Sequence, residues 1–170
     1  IINFMMRDVH TTPFEHSVFR FIIKCPIFVA REWMRHRWSS FNEYSLRYAP
    51  AIMEFYLPEP KNIRKQIGKV GAYTFEPVTD EEKQYHVLSL LDEVYVHAEQ
   101  VYHDLTKAGL AKELARLILP VGLYTSFYWT VNAHSIMNFI SLRAADTAQY
   151  EIRQYAKVIE QLFAERMPET

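Results

Sequence analysis

Arg35-His36-Arg37-Trp38-Ser39-Ser40-Phe41-Asn42-Glu43-Tyr44-Ser45-Leu46-Arg47-Tyr48 is the stretch on which the reading of this chain turns. Ahead of it lie a hydrophobic strand and an apolar helix, and Pro50 closes it. Three cations in a row lead into serines, an amide, a carboxylate and a further arginine. Guanidinium groups grip phosphate bidentately, while Ser, Asn and Glu supply oriented hydrogen bonds, so the mixture suits an anionic ligand such as a nucleotide. Arg35, His36 and Arg37 alone have a plainer explanation, since cations ending a helix gain about 0.3 kcal/mol from its macrodipole. Asn42, Glu43, Ser45 and Arg47 have none, and this segment, read as a loop, contains no glycine.

Working outward toward the N-terminus, Pro26 opens a helix predicted to run to about Arg37. Ile27, Ala30 and Met34, with Val29 and Trp33 adjoining, give it a broad apolar stripe, and Arg31 and Arg35 lie one turn apart. Arg35 and Arg37 would point to opposite sides of such a helix, so one ligand would not bind both in the same way. Before it, His16 to Cys25 alternates, with Ser17, Phe19, Phe21, Ile23 and Cys25 on one face, which predicts a strand. Cys25 falls on the apolar face and reads as core. Thr11-Thr12-Pro13 is a turn signal, and Ile1 to Arg7 reads as the end of a helix or strand. Because the chain opens on Ile1 rather than Met, an upstream segment is expected.

Toward the C-terminus, Met53 to Leu57 is a short strand candidate, and residues 57–78, punctuated by Pro58, Pro60, Gly68, Gly71 and Pro77, read as a basic loop. Thr79-Asp80-Glu81-Glu82 reads as a capping box opening a long helix that ends at Gly109. Its buried stripe is Tyr85, Leu88, Leu91, Tyr95, Ala98, Tyr102 and Leu105. His86, His97 and His103 lie on this helix without i,i+4 pairing, so no metal site is expected. Leu110 to Leu119 is predicted as a helix with Leu110, Leu114, Leu117 and Ile118 inward. Tyr124 to Val131 alternates as a strand, and Asn132 is the predicted N-cap of a helix running to about Ala145. Arg143 falls on the apolar side of that helix, where a cation either snorkels off the end or meets a buried anionic partner. Asp146 and Gln149 are expected to cap a last helix to about Arg166, with Tyr150, Ile152, Tyr155, Ile159 and Phe163 available for burial.

The 170 residues are 49% apolar, enough for one domain with a real core, and the net charge of −1 gives no global attraction to nucleic acid or an anionic membrane. One cysteine excludes an intrachain disulfide and fits a reducing compartment, the cytoplasm. Neither a signal peptide nor an apolar run of membrane-spanning length is present.

The pattern R-H-R-x-x-S-x-N-E-x-S-x-R-Y, filled by Arg35, His36, Arg37, Ser40, Asn42, Glu43, Ser45, Arg47 and Tyr48, resembles the signature of the flavin-dependent thymidylate synthases. Thr12-Pro13-Phe14-Glu15-His16, Ala115-Arg116-Leu117-Ile118-Leu119-Pro120 and the run from Tyr124 through Asn132 and Asn138 to Arg143 are similar to further boxes of that family. The resemblance implies an α+β fold, a mainly antiparallel sheet flanked by long helices, assembled as a homotetramer with sites shared between subunits. It implies reductive methylation of dUMP to dTMP, with FAD as cofactor, 5,10-methylenetetrahydrofolate as carbon donor, NADPH as reductant and no cysteine nucleophile.

For dUMP it points to Glu32, Arg35, Glu43, Tyr44, Ser45, Leu46, Arg47, Arg116 and Arg143, with Arg143 against the uracil ring as the catalytic group. For FAD it points to His16, Arg35, His36, Arg37, Trp38, Glu43, Asn132, His134 and Asn138. Around Gln66 family members often carry a longer polar loop. Glu32 stands where a number of members have glutamine, though acid occurs there too, and His134 and Thr147 stand where some have Arg and His. A rival reading from the residues is a non-enzymatic nucleotide or single-stranded nucleic-acid binding module, with Arg31, Arg35, Arg37 and Arg47 beside Trp38 and Tyr44 for stacking. A second rival is a purely structural oligomeric domain.

Overall fold

The computed structural model describes residues 1–170. In chain order the elements are α1 (Ile2–Arg7), β1 (Val18–Pro26), α2 (Ile27–Trp33), β2 (Ser39–Glu43), β3 (Arg64–Lys69), β4 (Ala72–Pro77), α3 (Glu81–Lys107), α4 (Lys112–Ala115), β5 (Tyr124–Asn132), α5 (Ala133–Arg143) and α6 (Tyr150–Ala164), with 3-10 turns at Thr12–His16, Pro60–Asn62 and Arg116–Ile118. The class is α+β. The chain forms two compact units, Ile1–Tyr44 with Thr125–Thr170, and Ser45–Tyr124.

The first unit is built on a three-stranded sheet in the order β1-β5-β2. Period-two alternation puts Phe127, Trp129 and Val131 of β5 inward, and Ile23 and Cys25 of β1 with them. Trp33 from α2 stacks on Phe139 from α5 at 4.6 Å and meets Trp129 edge-on at 5.2 Å. Edge-to-face and offset contacts of this kind add to the area these rings bury. α6 closes the core with Ile152, Ala156, Ile159 and Phe163, all buried.

Three expectations in this unit need correction. The helix predicted from Pro26 to Arg37 spans only Ile27–Trp33, because β1 runs on through Pro26, which caps the helix in an extended conformation (φ −61°, ψ 149°). Arg35, His36 and Arg37 therefore lie beyond the helix, in turns where the Arg35 and His36 amides donate back to Glu32 and Trp33. The predicted loop after them begins as a strand. β2 pairs antiparallel with β5, Ser39 opposite Val131 and Glu43 opposite Phe127. In that register Phe41 turns inward and packs on the core. The first strand begins at Val18, with His16 in the preceding 3-10 turn.

The second unit is organised by α3. Its N-cap is Asp80 rather than Thr79, with the carboxylate accepting from the Lys83 amide at 3.2 Å. Its C-terminus is a Schellman turn. Gly109 takes φ +88°, its amide donates to Thr106 O, and the Leu110 amide donates to Leu105 O. Tyr95, Ala98 and Tyr102 are buried as predicted, whereas Tyr85 is exposed. Tyr95 stacks on Phe55 at 4.6 Å, its hydroxyl donates to Tyr56 O, and a Cβ at Gly122 would lie 2.2 Å from its oxygen, so a larger residue there would displace the ring.

The segment 57–78, read as a loop, contains a β-hairpin of β3 and β4, antiparallel from Arg64 opposite Pro77 to Lys69 opposite Ala72. Its glycines belong to the turn, Gly68 and Gly71 both having positive φ. The strand expected at Met53–Leu57 reduces to one bridge, Phe55 with Leu123. The helix expected over Leu110–Leu119 is the four-residue α4 plus a 3-10 turn, and Leu110, Leu114, Leu117 and Ile118 are exposed rather than inward. No helix is long and apolar enough to cross a membrane.

Candidate active site

Glu32, near the end of α2, His36, in the turn behind it, and Arg143, the last residue of α5, come from segments more than a hundred residues apart in sequence and meet in the first unit. Arg143 Nη1 donates to Glu32 Oε1, and both side chains are about three-quarters buried. Arg143 Nε donates to His36 Nε2 at 2.9 Å. Of the two alternatives for Arg143, the anionic partner is what the fold supplies. The macrodipole of α5 also favours a cation at this end. The His36 ring packs edge-on against Phe139 at 4.9 Å. Burial, and then the neighbouring Arg143 charge, hold the His36 imidazole below its ordinary pKa.

His36 also lines a cavity of about 330 Å³, together with Glu15, Trp38, Ser39, Trp129, Val131, Asn132, His134, Ser135 and Asn138. Local structure explains how these residues are presented. Asn132 ends β5 and caps α5, its Oδ1 accepting from the Ser135 amide at 2.8 Å, which leaves its side-chain NH₂ as a spare donor. His134 and Asn138 follow on α5 one turn apart. Ser39 Oγ donates to His36 O at 2.7 Å and keeps acceptor capacity. His134 Nδ1 lies 3.5 Å from Glu15 Oε1. Trp38 contributes an exposed aromatic face. Such a lining, aromatic walls carrying amide, hydroxyl and imidazole groups, suits a planar heterocycle with hydrogen-bonding edges.

Five of the residues expected to contact flavin, His36, Trp38, Asn132, His134 and Asn138, therefore share one cavity. His16, Arg35 and Arg37, also in the first unit, are exposed and do not line it, and neither does Glu43. The Glu43 carboxylate is instead anchored at the end of β2, accepting from the Thr125 hydroxyl at 2.7 Å. Tyr44 follows it, its amide donating to Ser126 O.

Ser45, Leu46, Arg47 and Arg116 belong to the second unit. Ser45 O accepts from the Tyr48 and Ala49 amides in a tight turn, and the Arg47 guanidinium lies 5.1 Å from the Tyr48 ring centre. Arg116 is exposed, its Nε donating to the Glu113 backbone carbonyl at 3.2 Å rather than to the carboxylate.

Several cavity and anchoring residues were not singled out by the sequence. Glu15 lies in the box that drew attention to His16, Ser135 is fixed by the Asn132 cap, and Trp129 had only its strand alternation. Thr125, which holds Glu43, is recognisable only once the β2–β5 register is known. Cys25 is fully buried, and burial, with the Glu43 charge adding to it, pushes its thiol up to about 12.

Comparison with known proteins points one way. The family described as Thymidylate synthase complementing protein matches residues 1–169. A flavin-dependent thymidylate synthase of Thermosipho africanus (strain TCF52B) is 46% identical over 170 residues, covering 100% of this chain and 73% of that protein. Its counterpart in Thermosipho melanesiensis is 48% identical over 172 residues, with 100% and 73% covered. The crystal structure of a UMP/dUMP methylase, PolB, from Streptomyces cacaoi bound with 5-Br UMP superposes with a TM-score of 0.90 at 36% identity, covering 96% of this chain and 75% of that one.

Proposed function

Since this chain belongs to the thymidylate synthase complementing protein family, that of the flavin-dependent thymidylate synthases, we propose that it methylates carbon 5 of dUMP to give dTMP, with FAD as cofactor, 5,10-methylenetetrahydrofolate as carbon donor and NADPH as reductant. The observation that carries this reading is the Glu32–Arg143–His36 cluster set beside a cavity whose lining suits a flavin ring. When bound, FAD supplies the reducing equivalents. His36, Trp38, Asn132, His134 and Asn138 are the residues proposed to hold it, by ring contact and by hydrogen bonds to its heteroatoms.

The chemical problem on the protein's side is to make uracil nucleophilic at carbon 5. A guanidinium against the ring carbonyl and N3 stabilises the negative charge that develops there, and does so more strongly in a site with little water. Arg143 is the proposed group, pre-oriented by two hydrogen bonds that leave further N–H donors of its fork uncommitted. Glu32 serves that orientation first, and contacts dUMP only through its second carboxylate oxygen. Arg35, Ser45, Arg47 and Arg116, with Tyr44 and Leu46, are proposed to hold phosphate and sugar, the arginines by charge-assisted hydrogen bonds. Glu43, fixed by Thr125, orients both ligands, and His16, Arg35 and Arg37 reach the flavin outside the cavity. No cysteine attacks the pyrimidine in this proposal, because a buried thiol with a pKa of about 12 is neither accessible nor ionised at neutral pH.

A cavity of about 330 Å³ lies at the small end of ligand pockets and is smaller than a dinucleotide needs. From the family resemblance we further propose a homotetramer whose subunits complete one another's sites, and a cytoplasmic location. The direct test is the absorption spectrum of the purified protein, its bleaching by NADPH, and mass-spectrometric detection of dTMP after addition of dUMP and methylenetetrahydrofolate. UMP belongs in the same assay, because the structural relative is described as a UMP/dUMP methylase. A colourless protein that binds oligonucleotides in a salt-sensitive way favours the non-enzymatic binding module instead.

A further inference from the structure

We propose that Glu32, Arg143 and His36 form a positioning relay: Glu32 orients the Arg143 guanidinium, and Arg143 fixes His36 as the Nδ1–H tautomer, so that the group His36 offers to a ligand in the cavity is a hydrogen-bond donor. Arginine has donors only and stays protonated at any accessible pH. A guanidinium N–H aimed at His36 Nε2 over 2.9 Å therefore requires a lone pair there, and a neutral imidazole with that lone pair carries its proton on Nδ1. Free imidazole side chains have no such constraint.

Glu32 sets the direction of the guanidinium. Its Oε1 takes an Nη1 proton of Arg143, so the planar fork is held at two of its nitrogens by residues on either side of the α2 terminus. Phe139, on the same helix as Arg143, packs edge-on against the imidazole and restricts its ring flip. The charged and titratable groups facing His36 are Arg143 from α5 and Glu32 from α2, with Glu15 and His134 on the cavity wall. The depressed pKa of His36 agrees with an imidazole kept neutral beside a cation. The relay couples two places that the proposed function assigns to different ligands, uracil at Arg143 and the heterocycle in the cavity at His36. It rests on that reading for the identity of the ligands, though not for the tautomer.

The test is ¹⁵N NMR of the full chain labelled at histidine, with the His36 signals assigned by their loss in His36→Gln. Wild type is expected to show a single Nδ1–H signature for His36, unchanged between pH 7 and 8. Arg143→Met, which keeps length and removes the donor, is expected to lose that signature in favour of a tautomer mixture and to move the His36 titration upward. Glu32→Gln still offers an acceptor oxygen and retains the wild-type pattern, whereas Glu32→Ala loses it, a rescue that simple packing would not produce. An Nε2–H tautomer dominant in wild type, or a pattern indifferent to Arg143→Met, overturns the relay. Should Arg143→Met fail to fold, the conservative Arg143→Lys, which offers Nε2 a differently placed donor, is read in its place, and a dominant Nε2–H form in wild type still overturns the relay. A protein that forms no dTMP yet shows the expected tautomers would refute the enzymatic reading and leave the relay standing.

Discussion

At the scale of single residues, the decisive fact is where charge and its partners are buried. Arg143 is a cation at the end of an apolar helix face, and the sequence alone left open whether it escaped to water or met an anion. Glu32 settles that, a residue the resemblance offers as a dUMP contact and not as the partner of Arg143. Cys25 gives the simplest prediction: Cys25→Ala retains dTMP formation and costs about 1 kcal/mol of stability, as measured by denaturant titration, because only core packing is lost.

Trp33 sits at the centre of the aromatic cluster, fully buried against Trp129 and Phe139. Trp33→Ala should lower stability by about 3–5 kcal/mol in the same titration. His36 gives the pH dependence. Its folded-state pKa lies below the unfolded value, so near and below about pH 6.5 the unfolded chain binds more protons at this site. The contribution of neutral His36 to stability is thus complete above that value and declines on acidification. Thermal unfolding of wild type against His36→Gln between pH 7.5 and 5.5 checks it, with wild type expected to lose more on acidification.

At the scale of elements, what the sequence revealed and what it hid follow from which interactions specify each segment. β1, β5, α5 and α6 were readable because one face of each is buried within the first unit, so period two or the helical repeat is written in their apolar residues. The Asn132 cap was readable for a local reason, a side chain bonding an amide three residues on. Asn132→Ala should cost about 1 kcal/mol of stability and loosen the start of α5, seen as faster amide exchange over Ala133–Ile136.

β2 was read as a loop because its pattern is polar apart from Phe41. Its strand character comes from pairing with β5, from Glu43 opposite Phe127, 84 residues on, to Ser39 opposite Val131, 92 residues on. The β3–β4 hairpin was missed because its strands are exposed on both faces apart from the part-buried Arg64, so alternation has nothing to report and only the Gly68 and Gly71 turn marks it. The helical reading of Leu110–Leu119 failed for the opposite reason. Its leucines imitate a buried stripe, yet the chain turns at Arg116 and leaves them exposed.

At the scale of the whole molecule, much apolar surface stays outside both cores. In the second unit Phe75 and Tyr73 of the hairpin, Val70 at its turn, and Leu90, Val94 and Val96 of α3 are exposed, and in the first unit so are Val18, Ile22 and Tyr128 on the outer face of the sheet. Patches of this kind mark association surfaces. The homotetramer proposed above accounts for them, and light scattering coupled to size exclusion should give four times the 20.2 kDa chain mass. Substituting Phe75 and Val96 together by Asp should lower that mass.

The site residues are legible mainly through their resemblance to the family's motifs, since residue type alone, the arginines beside Ser45 and Asn42, points no further than an anionic ligand. Their convergence was not legible, since nothing local links Glu32 and His36 to Arg143. In the proposed reaction the Arg143 guanidinium activates uracil beside a reducing flavin. That activation is tested most directly by tritium release from dUMP labelled at carbon 5, measured for flavin-loaded wild type and Arg143→Ala with NADPH and methylenetetrahydrofolate present. Wild type is expected to release tritium steadily, with a loss of about 100-fold or more in Arg143→Ala at equal flavin absorbance. Release by Arg143→Ala near the wild-type rate, or none from flavin-loaded wild type, would contradict it.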